Sequence, residues 1–142
     1  MKSFYLLFMT FCMSLSSFLL EAESLPVSPS PKGASVYIIS PKDGDTVCET
    51  FTVKFGLREM GVAPAGIDKE NTGHHHLLID AKTLPAMDQP MGKDVKHFGG
   101  GQTEATITLP KGKHTLQLVL GNYLHIPHNP PIVSKKITIT VE

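Results

Sequence analysis

The chain has 142 residues, with 13 Lys and Arg set against 13 Asp and Glu, and no tryptophan. A zero net charge without a basic cluster excludes the electrostatic footprint of a nucleic-acid binder. The length allows one compact domain of ordinary size and excludes two.

In chain order, the first element is a leader. Lys2 supplies a positive charge, and residues 4–20 form an apolar run softened by Thr10, Ser14, Ser16 and Ser17. Ala22-Glu23-Ser24 then places small residues where a signal peptidase reads, so residues 1–24 are predicted to be a secretory signal peptide cleaved after Ser24. The run falls short of the ~20 apolar residues a bilayer span needs. The exported chain is therefore expected in the periplasm or outside the cell, with no stable membrane span. The mature chain keeps 118 residues, 12 basic and 11 acidic, and one cysteine, Cys48. With Cys12 lost alongside the leader, no internal disulfide can form, and Cys48 reads as a small buried hydrophobe.

Residues 25–33, LPVSPSPKG, read as a Pro/Ser-rich linker. From Ala34 to Glu142 the pattern is that of one β domain. ASVYIIS is a strand followed by the turn PKDGDT, and Phe51, Val53 and Phe55 alternate with Thr52 and Lys54 as a half-buried strand of period two. A long connection with Gly61, Pro64 and Gly66 leads to a strand over residues 74–80. Residues 81–101, with Pro85, Pro90, Gly92 and a triple glycine, read mostly as loop. Ala105, Ile107 and Leu109 alternate in the next strand, Leu116, Leu118 and Leu120 in the one after. Residues 122–131 form a second Pro-rich loop, and Ile137, Ile139 and Val141 close the chain. About six to eight short strands and no 3.6-residue period after the leader predict an all-β fold, an immunoglobulin-like antiparallel β-sandwich.

The chemistry concentrates in histidine. Side chains at i and i+2 of a strand share a face, so in GHHHLLID His74 and His76 point one way and His75 the other, beside Leu77 and Ile79. A His-x-His pair on one face suits a metal chelate, each imidazole nitrogen standing ~2.0–2.1 Å from the ion. His97 precedes the glycine run, and His125 and His128 sit in LHIPHNPP, after the Leu116–Leu120 segment. If the two strands are antiparallel neighbours, these groups meet at one pole of the domain. The predicted metal ligands are therefore His74, His76, His97, His125 and His128, with Gln102, Glu104 and Asn122 as supporting hydrogen-bond partners. An imidazole-rich set with few carboxylates favours copper or zinc over calcium or magnesium. His75 reads as a core imidazole bonded to backbone, and His114 as a plain surface residue. Met60, Met87 and Met91 fall in loops, where one could add a soft thioether ligand for Cu(I), but none has diagnostic spacing and they are left out of the ligand set.

Four stretches carry a family resemblance: Gly61 with Pro64-Ala65-Gly66, NTGHHHLLID, HFGGGQTEATITLPKGKHTLQLVLG, and HIPHNPP. They resemble the bacterial family catalogued as domain of unknown function 4399, over roughly residues 56–141. The resemblance implies a small exported β-rich protein whose histidine segments share one scaffold, and it implies no activity. Where that pattern leads us to expect Leu-Gly-Asp, this chain has Leu120-Gly121-Asn122, an amide in place of a carboxylate.

No Gly-x-Ser-x-Gly elbow, paired catalytic carboxylates or P-loop occurs, so an enzyme is not expected. The expected function is an exported, periplasmic protein that holds a copper or zinc ion through a histidine cluster. The alternative is a metal-free ligand- or partner-binding module of the cell envelope, its histidines serving as hydrogen-bonding groups.

Overall fold

The computed structural model describes residues 25–142. The expected signal peptide, Cys12 included, lies outside the described residues. Strands β1 (Ser35–Ser40), β2 (Thr46–Val47), β3 (Thr50–Arg58), β4 (Gly61–Val62), β5 (Thr72–Ile79), β6 (Lys96–His97), β7 (Glu104–Thr108), β8 (Gly112–Gly121) and β9 (Ile137–Val141) form two sheets. The smaller has the order β1-β3-β7. The larger runs β2-β9-β8-β5-β4, with β6 also paired to β5. The long pairings are antiparallel, whereas the two-residue edge strands β2 and β4 pair in parallel. The fold is the expected all-β sandwich. The strands missing from the sequence pattern are β2, β4 and β6, each too short to show alternation.

Alternation places the core. Val53 and Phe55 of β3 point inward from the small sheet, while Leu116, Leu118 and Leu120 of β8 and Leu77 of β5 point inward from the large one. These four leucines are fully buried, and at ~1.5–3 kcal/mol for each large apolar side chain this core stabilises a domain that has no disulfide. Cys48 is free and exposed. It is not the buried hydrophobe the sequence suggested, because it lies in the short break between β2 and β3 at the rim rather than on an inward strand position. Residues 25–33 have no regular structure beyond one bridge of Pro29 to Asn129, yet they are held. Ser30 N–H donates to the Asn129 carbonyl and Asn129 N–H to that of Ser28.

The feature that positions the site is a second buried layer. β5 is shielded on both faces, from Gly73 through Leu78. Its outer face carries Leu78, which packs with Val119 of β8 and Val95, flanked by Ala81, Met91 and Val133 from the connecting loops. The loops around residues 81–101 and 122–133 thus act as a lid over half of the large sheet. No helix among the described residues is long and apolar enough to cross a membrane.

Candidate metal centre

His74 and His76 lie on the outer face of β5 beneath this lid, opposite Gly121 and Val119 of β8 respectively. On its other edge β5 pairs with β6, which sets His97 directly across from His76. Side chains of directly paired residues share a face within ~5.5 Å at Cβ, so one ladder brings three rings together. The fourth arrives from the loop after β8. His125 adopts φ +65°, a left-handed conformation that costs a non-glycine residue ~1–2 kcal/mol and persists only where the surroundings fix it. Asn122 does the fixing. Its Oδ1 accepts from Leu124 N–H (2.9 Å) and Ile126 N–H (3.0 Å), and its Nδ2 donates to Ser28 Oγ.

His74, His76, His97 and His125 each present one ring nitrogen, all within 4.8 Å of one another. Nitrogens bound at ~2.1 Å to one ion stand ~3.4 Å apart in a tetrahedral shell, so the rings would draw inward to seat a cation. One pair, His74 Nε2 and His125 Nδ1 at 3.0 Å, already matches neighbouring ligands of one ion. Adjacent rings stack at tilted or edge-on angles, with centroids 4.4 to 5.8 Å apart. His76 Nδ1 faces the His74 carbonyl at 3.3 Å. Donation there leaves Nε2 with the lone pair, the kind of outer bond that fixes a ligand's tautomer. His76 Nε2 and His74 Nδ1 are both buried without a hydrogen-bond partner.

Glycines make the room. A Cβ on Gly121 would stand 2.6 Å from His76 Cε1, and one on Gly99 would stand 2.3 Å from Cε1 of His97. The triple glycine therefore matters first through Gly99, whose missing side chain is the space the His97 ring occupies. His76, His97 and His125 open onto a cavity of about 260 Å³ also lined by Met91 and Lys93. A separate cleft of about 500 Å³ lies elsewhere, between Tyr37, Arg58 and Lys135, and contains none of the histidines.

Burial first, then the repulsion of neighbouring imidazolium charges, lowers the His74 pKa to about 4 and that of His76 to about 3. Burial and the charge of His97 lower His125 as well. At neutral pH these three rings are uncharged, with lone pairs available to a cation. No carboxylate or thiol among the described residues joins the group.

Three predicted participants stand apart from it. His128 is buried, but its nitrogens face the carbonyls of Leu120 (3.4 Å) and Thr72 (3.1 Å). It bridges the β8 and β5 backbones because the chain folds back at Pro127 against Gly121, and it is not one of the four rings. Glu104 is exposed in β7, across from Lys54 in the smaller sheet, and does not support the group. Gln102 serves the turn: its Oε1 accepts from Gly100 N–H, and its backbone carbonyl faces His75 Nδ1 at 3.3 Å. His75 is thus the backbone-bonded core imidazole the alternation indicated. Met91, left out of the ligand set for want of spacing, lines the same cavity, and its N–H donates to the His125 carbonyl at 2.9 Å. Its position depends on a loop folding back over the sheet, for which no periodic signal exists.

Residues 53–142 match the family described as "Domain of unknown function (DUF4399)", and the chain belongs to that family. No curated protein and no solved structure matches the chain.

Proposed function

We propose that this DUF4399 protein is an exported, periplasmic carrier or sensor that binds a copper or zinc ion through His74, His76, His97 and His125. One observation carries the reading: imidazoles from β5, β6 and the loop after β8 present four nitrogens within 4.8 Å of one another. Orphaned nitrogens alone would not suffice, because His75 Nε2 is also buried and unpaired on the opposite face. Convergence separates the two cases. Leaving a buried polar group unpaired costs ~1–3 kcal/mol, and a cation among the four rings would pair one nitrogen of each.

The donor chemistry supports the choice of ion. Neutral imidazole suits zinc and copper, whereas calcium and magnesium need oxygen ligands. Two buried rings and two more accessible ones describe a site closed on the sheet side and reachable from solvent.

The test is metal content of untagged protein isolated without chelator, followed by titration of the stripped protein with Cu(II) and Zn(II) at pH 7.5. About one ion per chain is expected, with binding lost in His74→Ala/His76→Ala. Absence of retained metal, together with identical titration heats for the two proteins, would overturn the reading. Intact mass of the exported protein checks the leader: the mature chain is expected to begin at Leu25.

A further inference from the structure

We infer that Met91 is a thioether ligand that closes the four-histidine group from the solvent side, and that the site thereby retains copper in its reduced form. This rests on the four-histidine reading and adds to it an oxidation state and a fifth residue.

Three observations place Met91. A Cβ on Gly121 would meet His76 Cε1 at 2.6 Å, Met91 Cε at 2.8 Å and His76 Nδ1 at 3.0 Å. The terminal methyl of Met91 and the His76 ring therefore crowd the same point, the space left by the missing side chain of Gly121. Met91 also lines the cavity onto which His76, His97 and His125 open. Its backbone N–H is tied to the His125 carbonyl at 2.9 Å, so the segment bearing the thioether is anchored to a residue of the group itself.

The chemistry follows from softness. A neutral thioether is a soft donor that suits Cu(I), whereas imidazole serves Cu(I), Cu(II) and Zn(II). Four imidazoles without Met91 would hold no soft donor to favour Cu(I) over Cu(II). A thioether at the open side favours the reduced copper ion and adds little for zinc. Packing alone would be served equally well by leucine, since Met91 lies against the apolar cluster of Leu78, Val95 and Val119. Leucine is close to methionine in volume and such exchanges usually cost less than ~1.5 kcal/mol. The substitution Met91→Leu therefore separates ligation from packing.

The experiment is an anaerobic competition for Cu(I) against a bicinchoninate probe, run on the mature wild type, Met91→Leu and His74→Ala/His76→Ala. Zn(II) titrations on the same three proteins accompany it. Met91→Leu is expected to lose about tenfold or more in Cu(I) affinity, equivalent to ~1.4 kcal/mol, with Zn(II) affinity changed less than about threefold. X-ray absorption at the copper edge of the Cu(I)-loaded wild type is expected to show a sulfur neighbour that Met91→Leu lacks. A Cu(I) affinity in Met91→Leu within threefold of wild type, or a wild-type spectrum without sulfur, overturns the assignment of Met91. If Zn(II) and copper binding are still lost in His74→Ala/His76→Ala, the four-histidine reading survives that result. A wild type that binds none of these ions brings down both.

Discussion

His75 and His76 are consecutive in β5 and equally hidden from solvent, at 0 % and 1 % exposure, yet the two faces of the strand give them different surroundings. His75 points into the sandwich, 5.0 Å from the Phe55 ring, with one nitrogen toward the Gln102 carbonyl. His76 points under the loop lid, among the rings of His74, His97 and His125. Each leaves Nε2 without a partner, and burial lowers both pKa values. Burial and an orphan nitrogen therefore do not define a site. What distinguishes the outer face is that separate segments bring further lone pairs to it, and that glycines clear the space between them.

The sharpest way to break this contrast is to exchange the two residues' fates. His76→Leu is expected to weaken Cu(II) and Zn(II) binding by about 100-fold or more, the upper end of what altered ligand environments cost. His75→Leu should leave affinity within about threefold and change only the thermal midpoint. Calorimetric titration of both variants decides it, and equal losses would mean that the faces are not functionally distinct. Next in size is Gly121→Ala, which drives a methyl into His76 and Met91. It should destabilise the unloaded protein by ~1–3 kcal/mol and lower metal affinity together with stability. Gly92→Ala is the control, since a Cβ there meets nothing within 4 Å, and it should stay within about 0.5 kcal/mol in urea unfolding.

Acid should act through the outer face. The folded-state values of His74, about 4, and His76, about 3, lie below their ordinary 6.5. As pH falls beneath 6.5 the unfolded chain takes up protons that the folded chain refuses, so stability is lost progressively down toward pH 4 to 3 and is fully present above 6.5. Urea midpoints of the unloaded protein at pH 7.5, 6 and 5 should fall in that order, and more steeply than those of His76→Leu. A slope unchanged in His76→Leu would remove this ring as its cause. Proton competition for an ion should likewise set in below the pH near 6 expected for ordinary histidines.

Much of the fold was legible because period-two alternation reports directly on inward faces. Val53 and Phe55, or Leu116, Leu118 and Leu120, are assigned to the core by alternation alone, and all five are buried there. The same periodicity set His74 and His76 on one face with His75 on the other, and proline and glycine marked the loops carrying His97 and His125. Sequence did not reveal where those loops come to rest. His125 and His128 are three residues apart in one Pro-rich loop, and only the turn at Pro127 decides that the first joins the rings while the second bridges backbone carbonyls. Met91 and Gly121 depend equally on tertiary approach. Asn122 accepts from the Leu124 and Ile126 N–H groups of its own loop, a task for its carbonyl oxygen that a carboxylate would also perform.

The smallest effect belongs to the seventh histidine, and its sign is opposite. His114 Nδ1 lies 2.7 Å from Asp80 Oδ2 and its Nε2 lies 2.8 Å from the Pro110 carbonyl. The hydrogen bond to Asp80 raises the His114 pKa, against a lesser pull from burial. Partial burial pulls Asp80 upward, but the bonds from His114 and Thr115 N–H and the His114 charge together hold it below its ordinary value. A raised histidine contributes fully below 6.5 and loses that contribution as pH climbs through its folded value, whereas the lowered carboxylate loses its share in acid. The pair is therefore most stabilising between about pH 4 and 6.5, where the outer-face rings are destabilising. Asp80 is exposed, so the pair is worth only ~0.2–1 kcal/mol. His114→Gln should differ from wild type most near pH 5.5 and converge with it by about pH 9, while from about pH 6 down to 5 the two should lose stability in parallel, because the raised histidine's contribution is constant there. A difference that stays constant from pH 5 to 9 would assign His114 to packing rather than charge, leaving the histidine group as the main source of pH dependence in that range.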